Sequence, residues 1–293
     1  MAVGERVEQS PKIYHTLQKE GMNYTAFSRH YPYRRENAEL MLEAMLYLSA
    51  RFTGVDIGSG NGLAAQLVKG MTEIFLREAV MWCVDPDPYA LAQAEKDTPS
   101  SDRFKAHWIK GFGQDIEVLL NGQIPEDGVD MVSILGTIHE VPPDDQTSVI
   151  SAGARILRPR GIVVVNSEFT DIATADNETL WAMPAGRAAM KFGRVTKAEK
   201  PGLLQRAPAE YTQMGENAGL VLVYYQVVPV TYPTQALVDI NQYSGWVEGV
   251  RNSFIFENGQ PSLEEFSREL QLSYGRSKPL TRQSVRWIFQ KPN

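Results

Sequence analysis

Five short apolar runs alternate with helix-like stretches between residues 51 and 170, and this alternation limits the fold more than any other feature of the chain. The runs lie at 53–57, 79–84 ("AVMWCV"), 104–109 ("FKAHWI"), 129–135 ("VDMVSIL") and 161–166 ("GIVVVN"). Helical apolar spacing fills 63–71, 88–97, 114–121 and 144–157 between them. Strands that each lead into a helix build βαβ units, and hence a parallel sheet covered on both faces. "MVSIL" and "VVVN" are near-continuous apolar runs, as strands buried on both sides should be. The turn "RPRG" at 158–161 breaks the last helix before the fifth strand. A further helix is expected over 34–50, where Leu40, Met41, Ala44, Met45 and Leu48 share a face.

Beyond residue 170 the alternation stops. A helix is expected after Pro184 and another around 208–218, closed by Gly219. The run "LVLVYYQVVPV" at 220–230 reads as a long strand. Residues 234–275 read as helical, with Ser262 and Glu265 at capping-box spacing. "SVRWIFQKP" reads as a final strand. No linker rich in Pro, Gly or Ser marks a second unit, so a single domain over 1–293 is expected.

Composition excludes several functions. The chain has 293 residues with 29 Lys and Arg against 35 Asp and Glu, a net charge of −6. A nucleic-acid partner is not expected, because no overall basic footprint is present. No stretch approaches the ~18 apolar residues of a membrane span, and the charged N-terminus lacks the apolar core of a signal peptide. One cysteine, Cys83, allows no intramolecular disulfide and fits a reducing, cytoplasmic location, with Cys83 itself a buried strand residue. The four histidines at 15, 30, 107 and 139 are too scattered for a metal site, and none is expected.

The site is expected at "VDIGSGNG", residues 55–62, directly after the first strand. Glycines there let the backbone approach a ligand, and the following helix presents free N–H groups. A phosphate loop needs a lysine after its last glycine, but Leu63 and Ala64 follow Gly62. A dinucleotide fingerprint needs its third glycine at 63, which is Leu63. The segment instead resembles motif I of the class I S-adenosylmethionine-dependent methyltransferases, in which a strand ends in an acid before G-x-G-x-G. "VMWCVDPDPYALAQAE", "GFGQDIEVL" and "VDMVSILGTIHEV…ILRPRGIVVV" resemble the following motifs in order. The resemblance covers about residues 50–170.

The resemblance implies an α/β, Rossmann-like, seven-stranded sheet of order 3-2-1-4-5-7-6 with strand 7 antiparallel. It divides the chain into an N-terminal helical lid (1–50), a cofactor-binding core (51–170) and an acceptor-side region (171–293). The implied cofactor is S-adenosylmethionine, leaving as S-adenosylhomocysteine. Gly58, Ser59, Gly60 and Gly62 would curl around its methionine tail, and Asp56 would order the loop and meet the ammonium. Asp85 would accept both ribose hydroxyls beside Pro86, with Asp87 competing for that role. Gln114 or Asp115 would accept from the adenine amine, or else cap a helix. Phe112, where an acid is usual, would pack on the adenine. Leu135 and Gly136 would lie beneath the sulfonium. Tyr24 and Tyr31, from a cluster with Phe27, His30 and Tyr33, would close the lid over the cofactor.

Methyl transfer from a sulfonium needs alignment above all, and a base only if the acceptor loses a proton. His139 and Glu168 are the candidates, His139 also readable as a second-layer or cofactor-shelf residue and Glu168 as a hydrogen-bonded strand-end acid. An acid at Glu168 gives a weak further resemblance to the terpenoid C-methyltransferases. Trp181, Met183, Met190, Phe192, Tyr243 and Trp246 could line an apolar acceptor pocket or simply belong to the core. The expected activity is methylation of a small apolar or aromatic specialised metabolite at C, N or O. The alternatives are a cofactor-bound enzyme of another reaction, such as cyclisation, and a non-catalytic binding subunit. A lid of this kind is also placed to exchange between subunits of a homo-oligomer.

Overall fold

The computed structural model describes residues 12–14, 25–172, 175–198 and 206–293, with backbone alone for 175–181. Tyr24 and the side chain of Trp181 lie outside the described residues. In chain order the elements are α1 (Thr25–Ser28), α2 (Tyr31–Ala44), β1 (Arg51–Ile57), α3 (Leu63–Ile74), β2 (Glu78–Asp85), α4 (Pro88–Asp97), β3 (Phe104–Lys110), α5 (Ile116–Leu119), β4 (Val129–Leu135) and α6 (Gln146–Ile156). There follow β5 (Leu157–Ser167), α7 (Ala175–Ala189), β6 (Val195–Lys197), α8 (Pro208–Asn217), β7 (Val221–Tyr232), α9 (Thr234–Ile240), α10 (Ser244–Asn252), β8 (Phe254–Phe256), α11 (Leu263–Gly275) and β9 (Leu280–Gln290).

Seven strands form one sheet in the order β3-β2-β1-β4-β5-β9-β7. Counted within that sheet alone, the order is the expected 3-2-1-4-5-7-6. The first five strands run parallel, and β9 pairs antiparallel with both β5 and β7. The strand order reverses between β1 and β4, so a crevice opens at their carboxyl ends, which is where such sheets bind ligands.

Apolar residues of α6 and α8 pack on one face of the sheet and those of α2 and α3 on the other. β4 is buried along its whole length, which is why it reads as a continuous apolar run. A third apolar cluster joins Phe27 to α7, α9, α10 and α11 and to the ends of β7 and β9. Phe169, just past β5, packs against it, so this helical layer stands over the carboxyl end of β5.

Four local expectations are corrected. α2 begins at Tyr31 with Pro32 in its first turn, where a missing N–H costs nothing, and passes into a 3-10 turn at Met45–Tyr47. The helix expected at 114–121 is a 3-10 turn at Gly113–Asp115 followed by one turn of α5. "RPRG" lies inside β5, with Arg160 at φ 64 absorbing the bend. The helical reading of 234–275 is interrupted by β8, where "FIF" is a β-forming triplet that pairs with β6. The capping box of Ser262 and Glu265 is present, and Gly219 at φ 80 follows α8.

No helix among the described residues is long and apolar enough to cross a membrane.

Candidate active site

The glycine turn after β1 is fixed by its neighbours. Gly58 and Ser59 both donate N–H to the Val84 carbonyl at the end of β2, at 2.8 and 3.1 Å. Gly58 sits at φ 67, and a Cβ there would stand 2.1 Å from the Thr137 methyl. Thr137 also donates its hydroxyl to the Gly58 carbonyl at 3.0 Å. Gly58→Ala is therefore expected to destabilise the fold by about 1–3 kcal/mol, measured by denaturant unfolding. An unchanged midpoint would mean that the turn relaxes freely. Gly60, at φ 49, has nothing within 4 Å of a built Cβ, so the turn opens there onto a cavity of about 350 Å³. Gly62 plays a different part from the expected one. It precedes α3 at φ 78, tight against Trp108 and Ala94, and does not line the cavity.

Two buried carboxyls flank this turn. Asp56 accepts from the Ser133 hydroxyl at 2.6 Å, across the β1–β4 pair. Burial pushes its carboxyl up to about 7 against the help of Ser133, and the Asp85 charge adds to the rise. Asp85 accepts from the Gly60 amide at 2.7 Å on one oxygen and from the Asp87 amide at 2.9 Å on the other. Burial raises this carboxyl too, while the two amides oppose the shift. Asp87, the competing acid, gives one oxygen to the N-cap of α4, at 2.8 Å from the Tyr89 amide. Ser59, Pro86, Gln114, Leu135 and Gly136 all line the cavity, as does the half-exposed Phe112. Asp115 is exposed and off the cavity, one residue round the 3-10 turn from Gln114.

Part of the lid expectation is corrected as well. Tyr31 is 72% exposed and does not line the cavity. Two residues on a helix differ by about 200°, so Tyr33 points inward where Tyr31 points out. Phe27, Ser28 and Tyr33 are the residues of this segment at the cavity. Ser28 Oγ accepts from Asn61 Nδ2 at 2.6 Å, tying the segment to the glycine turn. The Tyr33 hydroxyl lies 2.7 Å from the position of a Cβ on Gly136.

A buried polar chain runs from α2 into the cavity floor, and the sequence reading missed it. Glu36 accepts from the Ser284 hydroxyl at 2.5 Å, from Arg286 Nε at 3.1 Å and from Asn166 Nδ2 at 2.6 Å. Asn166 in turn accepts from the Gly136 amide at 2.7 Å. All three donors to Glu36 are themselves buried.

The inner end of the cavity holds Glu168, Arg282, His139, Phe169 and Trp246. Tyr232 donates its hydroxyl to Glu168. Burial pushes the Glu168 carboxyl up to about 7, against the opposing charge of Arg282 and with that of Glu36. His139 packs on Phe169 with ring centroids 4.3 Å apart and the rings tilted by 32°, and its Nδ1 lies 3.1 Å from the Ser167 hydroxyl. Burial, reinforced by Arg282, pushes His139 down to about 3. Of the two candidates, Glu168 is thus the one whose proton occupancy changes near neutrality. Arg282 lies over the Phe169 ring at 3.9 Å. Met183 and Met190 are exposed and off the cavity, and Phe192 packs against Phe256 and Phe266. Tyr243 is fully buried and accepts from the Ala26 amide at 2.8 Å. The sequence carried one signal for Arg282. Arg282, Ser284 and Arg286 recur with period two, so β9 turns a polar row inward.

A glycine turn after β1 and an acid ending β2, at the switch point of a sheet of this order, define the class I methyltransferase fold. Residues 55–163 match the profile of the family described as Methyltransferase domain. That match spans less than half of the chain, and the cofactor that such a domain and fold imply is S-adenosylmethionine. Solved structures agree on the fold. A protein of Bacillus halodurans C-125, provisionally described as a methyltransferase, superposes with a TM-score of 0.56 at 14% identity, covering 88% of this chain and 100% of that one. A SAM-dependent methyltransferase from Methanosarcina mazei gives 0.50 at 13% identity, covering 85% and 97%. The [4+2]-cyclase SpnF gives 0.50 at 12% identity, covering 97% and 88%. No curated protein matches the sequence.

The residues at the cavity fit the cofactor. Ser59 Oγ is buried with no hydrogen-bond partner among the described residues. The space over Gly60 is open beside the Asp85 carboxylate.

Proposed function

We propose that the chain transfers a methyl group from S-adenosylmethionine to a small, largely apolar or aromatic acceptor bound at the inner end of the cavity. The observation that carries this reading is the continuity of the cavity. One space runs from Gly60 and Asp85 to Glu168, walled by Phe27, Phe169 and Trp246. Bound there, the cofactor supplies a methyl already activated on a sulfonium.

The chain's residues divide the remaining work. Asp85 has lone pairs beyond those taken by the Gly60 and Asp87 amides, and these receive the ribose hydroxyls. Asp56 and Ser59 hold the amino acid tail, and the tail's positive charge keeps Asp56 ionised. Gln114 and Phe112 take the adenine end. Leu135 and Gly136 form the floor under the reacting atoms, with the Gly136 amide held by Asn166. Tyr33, Phe27 and Trp246 exclude water from the acceptor side. Glu168 accepts the acceptor's proton, and His139, neutral, positions Phe169 and Ser167 beside it.

Titration calorimetry with S-adenosylmethionine tests the cofactor half. Asp85→Ala is expected to weaken binding by about 100-fold, the loss of two charge-assisted hydrogen bonds. Unchanged affinity would remove Asp85 from the ribose role. Labelled-methyl transfer into a metabolite extract tests turnover and separates methylation from the cyclisation that SpnF performs on the same fold. Cofactor binding without label in any product would favour the second reading.

A further inference from the structure

The acceptor end of the cavity carries the cation Arg282 and the buried acid Glu168, with the exposed Glu140 at its edge, and the two buried groups narrow the acceptor class. Arg282 is a buried guanidinium on β9, laid over the Phe169 ring. Glu168 stands beyond the end of β5 and is held by the Tyr232 hydroxyl from β7. Around them the walls are flat: Phe27, Tyr33, Phe169 and Trp246.

We infer that the acceptor is a neutral, planar molecule bearing an acidic hydroxyl, of the phenol or enol class, whose oxygen faces Arg282 and whose proton faces Glu168. This rests on the methyl-transfer reading given above. An ammonium acceptor would meet the Arg282 charge at close quarters, and the sulfonium adds a second positive charge. A carboxylate acceptor would meet Glu168, with the buried charge of Glu36 behind it. A hydroxyl avoids both conflicts. It has no charge to desolvate on entry, and its oxygen gains negative charge where a buried cation already stands.

The step balances. The acceptor oxygen forms its bond to the methyl carbon as the carbon–sulfur bond breaks, with that electron pair staying on sulfur. The hydroxyl proton passes to a Glu168 carboxylate oxygen. The charged and titratable groups around Glu168 are Arg282 from β9, Glu36 and Tyr33 from α2 and Tyr232 from β7, with His139 and Glu140 from the segment after β4 on the same cavity lining. Burial and Glu36 hold the carboxyl up to about 7, high enough to take a proton from a phenol at neutral pH and low enough to be ionised for part of the time.

The test uses the full chain saturated with S-adenosylhomocysteine, so that no methyl can move, and reads affinity by calorimetry at pH 7. Four probes share one shape: 2-naphthol, 2-methoxynaphthalene, 2-naphthoate and 2-naphthylmethylammonium. 2-Naphthol is expected to bind at least tenfold more tightly than each of the other three. Arg282→Met is expected to reverse the order of 2-naphthol and the ammonium probe, and Arg282→Lys to restore it, both with unchanged S-adenosylhomocysteine affinity. Any other probe binding as tightly as 2-naphthol overturns the proposal. So does an absence of binding by all four, or an order that Arg282→Met leaves untouched. Failure of S-adenosylhomocysteine itself to bind defeats the methyl-transfer reading, and this proposal with it.

Discussion

Glu36→Ala is expected to destabilise the fold by about 3–5 kcal/mol, the largest loss from any single substitution considered. The reason is what the substitution leaves behind. Arg286 is buried with Glu36 as its ion-pair partner, at 3.1 Å, and Ser284 and Asn166 donate to the same carboxylate. Removing the acid strands a guanidinium charge and the Ser284 hydroxyl where water does not reach, while Asn166 keeps its second bond, to Asn37 Oδ1 at 3.0 Å. Part of the charge remains answered by Glu39, 3.0 Å from the other guanidinium nitrogen but half in solvent. The paired replacement Glu36→Leu with Arg286→Met removes both charges together, and it should recover most of the loss. Denaturant unfolding of the three proteins checks both statements. A loss below about 1 kcal/mol for Glu36→Ala would mean that the network is an ornament of the fold and not a support.

The second large effect concerns turnover. Glu168→Gln is expected to lower kcat by about 10²–10⁴-fold while leaving cofactor affinity unchanged. The pH dependence carries the sign. Below about 7 the wild-type carboxyl is protonated and cannot accept a proton, so kcat should rise as pH passes through that value. In Glu168→Gln the rise should vanish. Asp56 is also held up near 7, but in the proposed arrangement it faces the donor. Its titration therefore belongs to donor affinity, and saturating donor removes it from the kcat profile. Stability gives an independent check. The folded carboxyl of Glu168 holds its proton to higher pH than an unfolded one, so ionising it above about 7 opposes folding. Glu168→Gln should thus be at least as stable as wild type above neutrality. A variant that is slow because it is poorly folded would show the opposite.

The end of the cavity proposed for the cofactor was legible in the sequence as one place because its residues follow one another along the chain. Asp56, the glycines and Asp85 lie on adjacent parallel strands, and a parallel sheet brings the ends of neighbouring strands together. Strand order followed from the same motifs. The acceptor half was not legible in this way. Phe27 and Tyr33, Glu168, Trp246 and Arg282 come from four separate segments, and only tertiary packing joins them. Tyr31 and Tyr33 illustrate the limit. Both are aromatic and two residues apart, and only the start of α2 at Tyr31 decides which one turns inward. Glu36, on α2, is among the most buried acids of the described residues. An acid on a helix reads as solvent-facing unless its distant partner is known, and Arg286 lies at the far end of the chain.

The hydrogen bonds from Glu36 through Asn166 to the Gly136 amide link the docking of an N-terminal helix to one proton in the cavity floor. Exchange of that proton with solvent requires the chain of contacts to part. The rate at which the Gly136 amide takes up deuterium is therefore a clock for undocking of α2, readable without any substrate. Cofactor that rests on the same floor should slow the clock. By reciprocity, whatever loosens α2 should weaken the cofactor by the same free energy.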